Sequence, residues 1–417
     1  MNKIKQEYLN TWQSAYKKLN QKQREAVDTI DGPVMVIAGP GTGKTQLLAV
    51  RIGNILLNTD VFPHNILCLT YTDAGATAMR ERLTSFIGPD AYNVNFFTFH
   101  AFCNSVISEN PQYFGDFKAL QLVSDIELVE ILRTVFDNLA DEHPLKKLKG
   151  NEYNELNKLK QLFTIMKQEE WTSAYIHSKY EEYKEFVLDP ERSNCIWRVN
   201  RDGFKKGDIN PRLVNEALSK YTKLLGASEE LQSFKKIMTE RERYDYQDMI
   251  LWVIEKFQQH DELLAKYQER YQYILVDEYQ DTNGSQNNLL FLLSDFWEKP
   301  NLFIVGDDDQ SIFRFQGANM NSIMEFKDKY QPKEIVLTEN YRSSQVILDS
   351  ASKLIENNLD RLSHKYPDLD KNLTEHRSVK PEFSPEPQFL AYQNFVQEEA
   401  GIIEKIISLN NQGVAWK

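Results

Sequence analysis

Lys44 and Thr45 close the run Ala38-Gly39-Pro40-Gly41-Thr42-Gly43-Lys44-Thr45. Closely spaced glycines let successive backbone N–H groups converge on phosphate oxygens, and a following helix start adds partial positive charge. In that setting Lys44 reaches the β- and γ-phosphates of a nucleotide, and the Thr45 hydroxyl ligates Mg²⁺. The strict pattern has a glycine where Ala38 stands. Far downstream, Asp277 and Glu278 are neighbours at the end of the apolar run Tyr273-Ile274-Leu275-Val276. Two desolvated acids need a cation or hydrogen bonds to compensate them. Asp277 therefore suits Mg²⁺, directly or through water, and Glu278 suits orienting and deprotonating an attacking water. Gln310 follows Leu302-Phe303-Ile304-Val305-Gly306-Asp307, where an amide can report the presence of a γ-phosphate. Arg342, after the run Glu334 to Leu337, could neutralise γ-phosphate charge from a second domain; the alternative is a surface arginine.

These residues need a scaffold that delivers them to one edge. Val34 to Ile37, Ile66 to Thr72, Asn95 to His100, Tyr273 to Val276 and Leu302 to Val305 read as short buried strands alternating with helical stretches. The pattern predicts a parallel sheet with helices on both faces, its ligands gathered beyond the C-terminal strand ends. Thr70, Thr72, Thr98 and His100 fall at those ends, although His100 taken alone reads as a packed histidine. Phe313 and Phe315 flank Arg314 just past Gln310; base stacking and core packing both account for such rings. From 104 to 239 the spacing turns helical, as in Glu127 to Phe136, Tyr153 to Met166 and Leu213 to Leu225, which predicts a helical insertion. The first 18 residues read as a loosely docked lead-in, and Leu19 to Val27 as a helix capped by Asn20. Near the end, Phe389 to Tyr392 reads as a strand and Val396 to Leu409 as a helix.

Hydrophobic residues make up 41% and charged residues 26% of the 417, as in ordinary globular protein. No apolar run approaches the ~18 residues of a membrane span, and the start lacks a signal-peptide core, so cytoplasm is the expected compartment. Three dispersed cysteines give neither a disulfide framework nor a zinc cluster. A net charge of −12 argues mildly against nucleic acid, but net charge does not report a local groove.

Taken together, the segments from Leu19 to about Arg342 resemble the UvrD/Rep-type superfamily 1 DNA helicases, with Asp73-Ala74 leaning toward the RecB-like branch. The resemblance implies an α/β fold: a P-loop NTPase (RecA-like) parallel sheet over 1–103 and 240–330, a helical insertion over 104–239, and the start of a second RecA-like domain over 331–417. It implies that Gln23 reads the adenine edge beside Arg24, that Ala38, Gly39, Pro40, Gly41, Thr42, Gly43, Lys44 and Thr45 hold ATP, and that Tyr341 stacks on the base. Asp277, Glu278, Gln310 and Arg342 take the metal, water-activating, γ-phosphate-sensing and arginine roles. Thr70, Tyr71, Thr98, His100, Phe313 and Phe315 match positions that touch single-stranded DNA, with Phe315 in place of a common Trp. The implied activity is ATP- and Mg²⁺-dependent movement 3′ to 5′ along one strand, at single-stranded DNA and duplex junctions, in repair or recombination. The family's later motifs have no counterpart before Lys417, so an N-terminal fragment of low activity alone is expected. Two other readings are the motor of a helicase–nuclease and a nucleotide-gated DNA-binding scaffold without productive hydrolysis.

Overall fold

The computed structural model describes residues 6–117, 119–146, 152–200, 203–311, 320–358, 361–367, 369–377 and 387–414. Ten strands occur among them: β1 (Val34–Ala38), β2 (Ile66–Thr70), β3 (Asn95–Thr98), β4 (Gln121–Leu122), β5 (Arg243–Tyr244), β6 (Tyr273–Val276), β7 (Leu302–Gly306), β8 (Lys333–Leu337), β9 (Glu339–Asn340) and β10 (Thr374–Glu375). The helices preceding the insertion are α1 (Gln6–Lys17), α2 (Gln21–Asp28), α3 (Lys44–Asn58), α4 (Asp73–Ile87) and α5 (Phe99–Glu109). Within the insertion lie α6 (Asp125–Asp137), α7 (Glu152–Gln168), α8 (Ser173–Leu188), α9 (Pro211–Ser219), α10 (Thr222–Glu229) and α11 (Leu231–Glu240). After it come α12 (Tyr246–Gln259), α13 (Asp261–Arg270), α14 (Gly284–Ser294), α15 (Met320–Tyr330), α16 (Gln345–Ile355), α17 (Leu362–Lys365) and α18 (Phe395–Asn411).

Six strands form one parallel sheet in the order β3-β2-β6-β7-β1-β8. Its central strands are apolar on both faces because each face carries its own helical layer. Alternation along each strand divides the side chains between the layers. Val34, Val36, Cys68, Leu275 and Val305 join the core beneath α1 to α4, whereas Met35, Ile37, Leu69, Ile274 and Ile304 join the core shared with α5 and α12 to α15.

The insertion has a third core, built from residues such as Leu132, Leu159, Phe163 and Phe234. Its two ends meet where β4 pairs with β5, Gln121 opposite Arg243 and Leu122 opposite Tyr244. The boundary expected at 103/104 falls inside α5, whose Val106 belongs to the sheet core. Buried Lys167 on α7 fastens the insertion to the start of α12, 2.8 Å from Asp245 and 2.7 Å from Asp248.

Three expectations need correction. The lead-in is a docked helix: Trp12 lies against Gly53, and its indole N–H donates to the Val50 carbonyl at 3.0 Å. Leu9, Trp12, Ala15 and Tyr16 share one face of α1, the short amphipathic stripe that the polar composition obscures. Lys333–Leu337, expected to open the second domain, instead extends the first sheet beside β1. Its Ile335 and Leu337 complete the first core, so burial outweighs chain order. Phe389 to Tyr392 forms no strand; these residues are exposed and meet no partner edge among the described residues, whereas the helix expected after them is present as α18.

Candidate nucleotide site and adjoining groove

β1 delivers the glycine-rich turn to the C-terminal edge of the sheet. Ala38 still belongs to the strand and is fully buried, so a small L-residue fits where the strict pattern has glycine. Gly41 and Gly43 adopt left-handed φ values of +73° and +87°. A Cβ at Gly41 would fall 2.7 Å from Asn340 Nδ2 and 2.8 Å from Arg342 Cβ, a clash on top of backbone strain. Gly43 is the N-cap of α3, so Lys44 and Thr45 occupy its first turn, whose N–H groups have no partner within the helix. Within the turn, the Thr42 hydroxyl donates to the Gly39 carbonyl at 2.7 Å.

The carboxylates arrive from β6. Lys44 Nζ stands 2.7 Å from Glu278 Oε2. Glu278 has a left-handed backbone, φ 50° and ψ 44°, an unfavourable conformation for a residue with a Cβ. Its side chain also accepts from Gln280 Nε2 at 2.9 Å, while Gln280 Oε1 accepts from the Asp307 N–H at 3.0 Å. Gly306 makes that approach possible, since a Cβ there would sit 2.8 Å from Gln280 Oε1. Gln310 Nε2 then donates to Asp307 Oδ2 at 2.9 Å. An unbroken polar path thus runs from Lys44 through Glu278, Gln280 and Asp307 to Gln310.

Burial, reinforced by the Glu278 carboxylate, pushes the Asp277 carboxyl up to about 6 against the pull of Lys44. Asp281 is likewise raised to about 6, first by burial, and its Oδ1 is buried with no hydrogen-bond partner. The hard oxygens of this incompletely compensated acid cluster suit a divalent cation, and Thr45 follows Lys44 in the first turn of α3. Among the described residues no cluster of three His, Cys, Asp or Glu could hold a metal alone.

A cavity of about 720 Å³ opens between α1, the turn and Tyr341, lined also by Gln23, Gly43, Gln46 and Phe86. Gln23 lies in its wall with both ends of its amide engaged: Nε2 donates to the Thr42 carbonyl at 2.8 Å, and Oε1 accepts from the Asn20 N–H at 3.0 Å. Arg24 points away, donating to the Lys17 carbonyl at 2.8 Å. Tyr341 holds its ring at the mouth, its hydroxyl donating to Glu339 at 2.7 Å and accepting from Asn20 Nδ2 at 3.0 Å. Its backbone N–H reaches the Gly41 carbonyl at 2.9 Å. Arg342 is exposed beside the turn, its N–H accepted by Asn340 Oδ1 at 2.9 Å. Sequence reasoning missed Asn340, which also donates to the Pro40 carbonyl and so binds the Tyr341–Arg342 segment to the turn.

Thr70, Tyr71, Thr98 and His100 come together in a second cavity, about 860 Å³, between the sheet edge and the insertion. Lys160, Asp245, Tyr246 and Asp281 share its lining. The two threonine hydroxyls serve the local backbone, Thr70 donating to the Thr72 carbonyl at 2.8 Å and Thr98 accepting from the Ala101 N–H at 3.2 Å. Tyr71 is exposed, and the His100 and Tyr246 rings meet edge-on with centroids 5.8 Å apart. Burial lowers the His100 pKa, with Asp245 opposing. Tyr246 is a second omission; it opens α12 with one residue between it and β5, a place that only the folded chain reveals. Phe313 and Phe315 lie outside the described residues.

Parallel sheet, glycine turn and paired acids define a P-loop protein of the RecA-like type. More narrowly, the chain belongs to the family of the UvrD/REP helicase N-terminal domain, which it matches over residues 19–331. It is 32% identical over 350 residues to the ATP-dependent DNA helicase PcrA of Leuconostoc citreum, covering 83% of this chain and 40% of that protein. PcrA of Staphylococcus aureus strain Mu50 is 31% identical over 345 residues, with 82% and 40% covered. The chain thus spans about two fifths of the length of these curated relatives. Among the described residues no helix is long and apolar enough to cross a membrane.

Proposed function

We propose that the chain is the nucleotide-binding motor portion of an ATP-dependent DNA helicase or translocase, acting 3′ to 5′ on single-stranded DNA and at duplex junctions in repair or recombination. The observation that carries this reading is the path from Lys44 to Gln310, with Asp281 of the same acidic segment lining the neighbouring groove. Gln280 Nε2 also donates to Asp281 Oδ2 at 3.4 Å, so phosphate binding and groove occupancy act on connected hydrogen bonds.

In this reading the glycine turn and Lys44 hold the β- and γ-phosphates, and the base enters the cavity under Tyr341. Lys44 exchanges Glu278 for phosphate, which frees the Glu278 carboxylate to orient and deprotonate water while Gln280 keeps it in place. Thr45 and Asp277 hold Mg²⁺, which when bound supplies charge neutralisation at the phosphates. Gln310 and Arg342 respond to the γ-phosphate. Tyr71 and Tyr246 offer faces to bases, a sequence-tolerant mode of binding. Sheet, insertion and the segment from β9 onward are the corresponding domains.

Thermodynamic linkage supplies the test. Single-stranded DNA should change the affinity for a non-hydrolysable ATP analogue, and the analogue should change DNA affinity by the same factor. Equal analogue affinities with and without DNA would remove the motor reading and leave a nucleotide-binding protein.

A further inference from the structure

The segment following α16 reaches the nucleotide edge at three points. Lys371, whose side chain is 7% exposed, places its ammonium 3.1 Å from Asp307 Oδ1 and 3.1 Å from Asp309 Oδ2, and it also donates to Asp308 Oδ1. Arg361 pairs through two bonds with Asp309, at 2.7 and 2.8 Å, and the Leu362 N–H donates to Asp308 Oδ2 at 2.8 Å. Three consecutive acids at the end of β7 are therefore compensated by this one segment. Burial disfavours the Lys371 ammonium, but the surrounding carboxylates more than offset it and raise its pKa.

Leu373 packs against the glycine turn, 2.9 Å from where a Cβ on Gly39 would stand. The Thr374 N–H then donates to the Thr338 carbonyl at 2.8 Å, and the His376 N–H to the Asn340 carbonyl at 2.7 Å, zipping β10 to β9. β9 runs directly into Tyr341 and Arg342. Residues 371–376 thus connect the Gln310 loop, the glycine turn and the Arg342 strand. Structural anchoring alone would be served by Leu362, which is already buried in the sheet core. What anchoring leaves unexplained is that Asp307 takes Lys371 on Oδ1 and Gln310 on Oδ2.

We propose that Lys371 is a positioning residue for the γ-phosphate response: acting through Asp307, it fixes the Gln310 amide and ties it to the strand that carries Arg342. The proposal rests on the reading of Gln310 as the group that distinguishes ATP from ADP. Without the ammonium, Asp307 Oδ1 keeps only the Asp309 N–H, at 3.2 Å, and Gln310 is left with a less firmly held acceptor. The glycine turn and Lys44 are untouched.

The test is the ratio of dissociation constants for a fluorescent ADP and a fluorescent non-hydrolysable ATP analogue, measured on the full-length protein. Lys371→Met should reduce this ratio about tenfold, the size of one lost hydrogen bond to a charged group. ADP affinity should stay within about twofold of wild type, and Lys371→Arg should restore most of the ratio. Because unpaired buried acids can prevent folding, the charge-balanced pair Asp308→Asn with Lys371→Met is measured alongside, with thermal unfolding as the check. A folded variant that keeps the wild-type ratio while Gln310→Ala loses it overturns the positioning role and leaves the sensor reading intact. If Gln310→Ala also keeps the ratio, the sensor reading fails and the role of Lys371 falls with it.

Discussion

Lys44 Nζ and Glu278 Oε2, 234 positions apart in sequence, stand 2.7 Å apart at the edge of the sheet. The proposed phosphate-binding cation and the proposed general base thus pair with each other. In the proposed mechanism each gives up the other to act, which would make hydrolysis wait on phosphate binding. Glu278→Gln should retain nucleotide binding, since Lys44 is released from its counter-charge, while turnover falls roughly 100- to 10,000-fold, the usual cost of losing a general base. Equilibrium binding and steady-state hydrolysis on the same preparation separate the two effects.

Trp12→Ala should destabilise the sheet core by about 3 kcal/mol, combining a cavity beneath α1 with the loss of the bond to Val50. Denaturant unfolding reads this directly. Because α1 also forms one wall of the base cavity, nucleotide affinity should fall in the same variant.

Lys167→Met leaves the buried Asp248 and the partly exposed Asp245 without their cation and should cost about 3–5 kcal/mol at neutral pH. Burial already raises the Asp248 pKa against the pull of Lys167, and removing Lys167 raises it further. A carboxyl whose folded pKa is raised contributes its full stability below its unfolded pKa, about 4, and loses it as pH rises through the folded value. The variant's deficit should therefore be largest at pH 7 and shrink toward pH 4. Unfolding curves across that range check the sign.

Much of the sheet was legible because its central strands are short apolar runs separated by helices, and because glycines, Lys44 and the acid pair carry their chemistry in adjacent positions. What escaped the sequence depends on residues that meet only after folding. Asn340 is one polar residue among many until β9 lies against the glycine turn. Lys371 looks like a surface lysine until Asp307, Asp308 and Asp309 surround it. The strand β8 was assigned by chain order, whereas its place is decided by the vacant edge of β1. α1 was obscured because its apolar stripe is short and its remaining face polar. Gln23 differs again: its capping bond with Asn20 was foreseeable from their spacing, but its hold on the Thr42 carbonyl was not.

Tyr71→Ala should weaken single-stranded DNA binding by about 1–3 kcal/mol, the worth of one stacked base, without changing nucleotide affinity in the absence of DNA. Tyr71 is 53% exposed at the groove, so the change removes little core packing. Fluorescence anisotropy with a labelled oligonucleotide gives the affinity, and an unchanged value would remove Tyr71 from the binding surface.

The most direct test of the central proposal, that the Lys44, Glu278 and Gln280 hydrogen bonds connect the phosphate site through Asp281 to the adjoining groove, is steady-state ATP hydrolysis by the full-length protein with and without single-stranded DNA. The account predicts strong stimulation by DNA that disappears in Glu278→Gln. Hydrolysis indifferent to DNA, or turnover that survives Glu278→Gln, would contradict it.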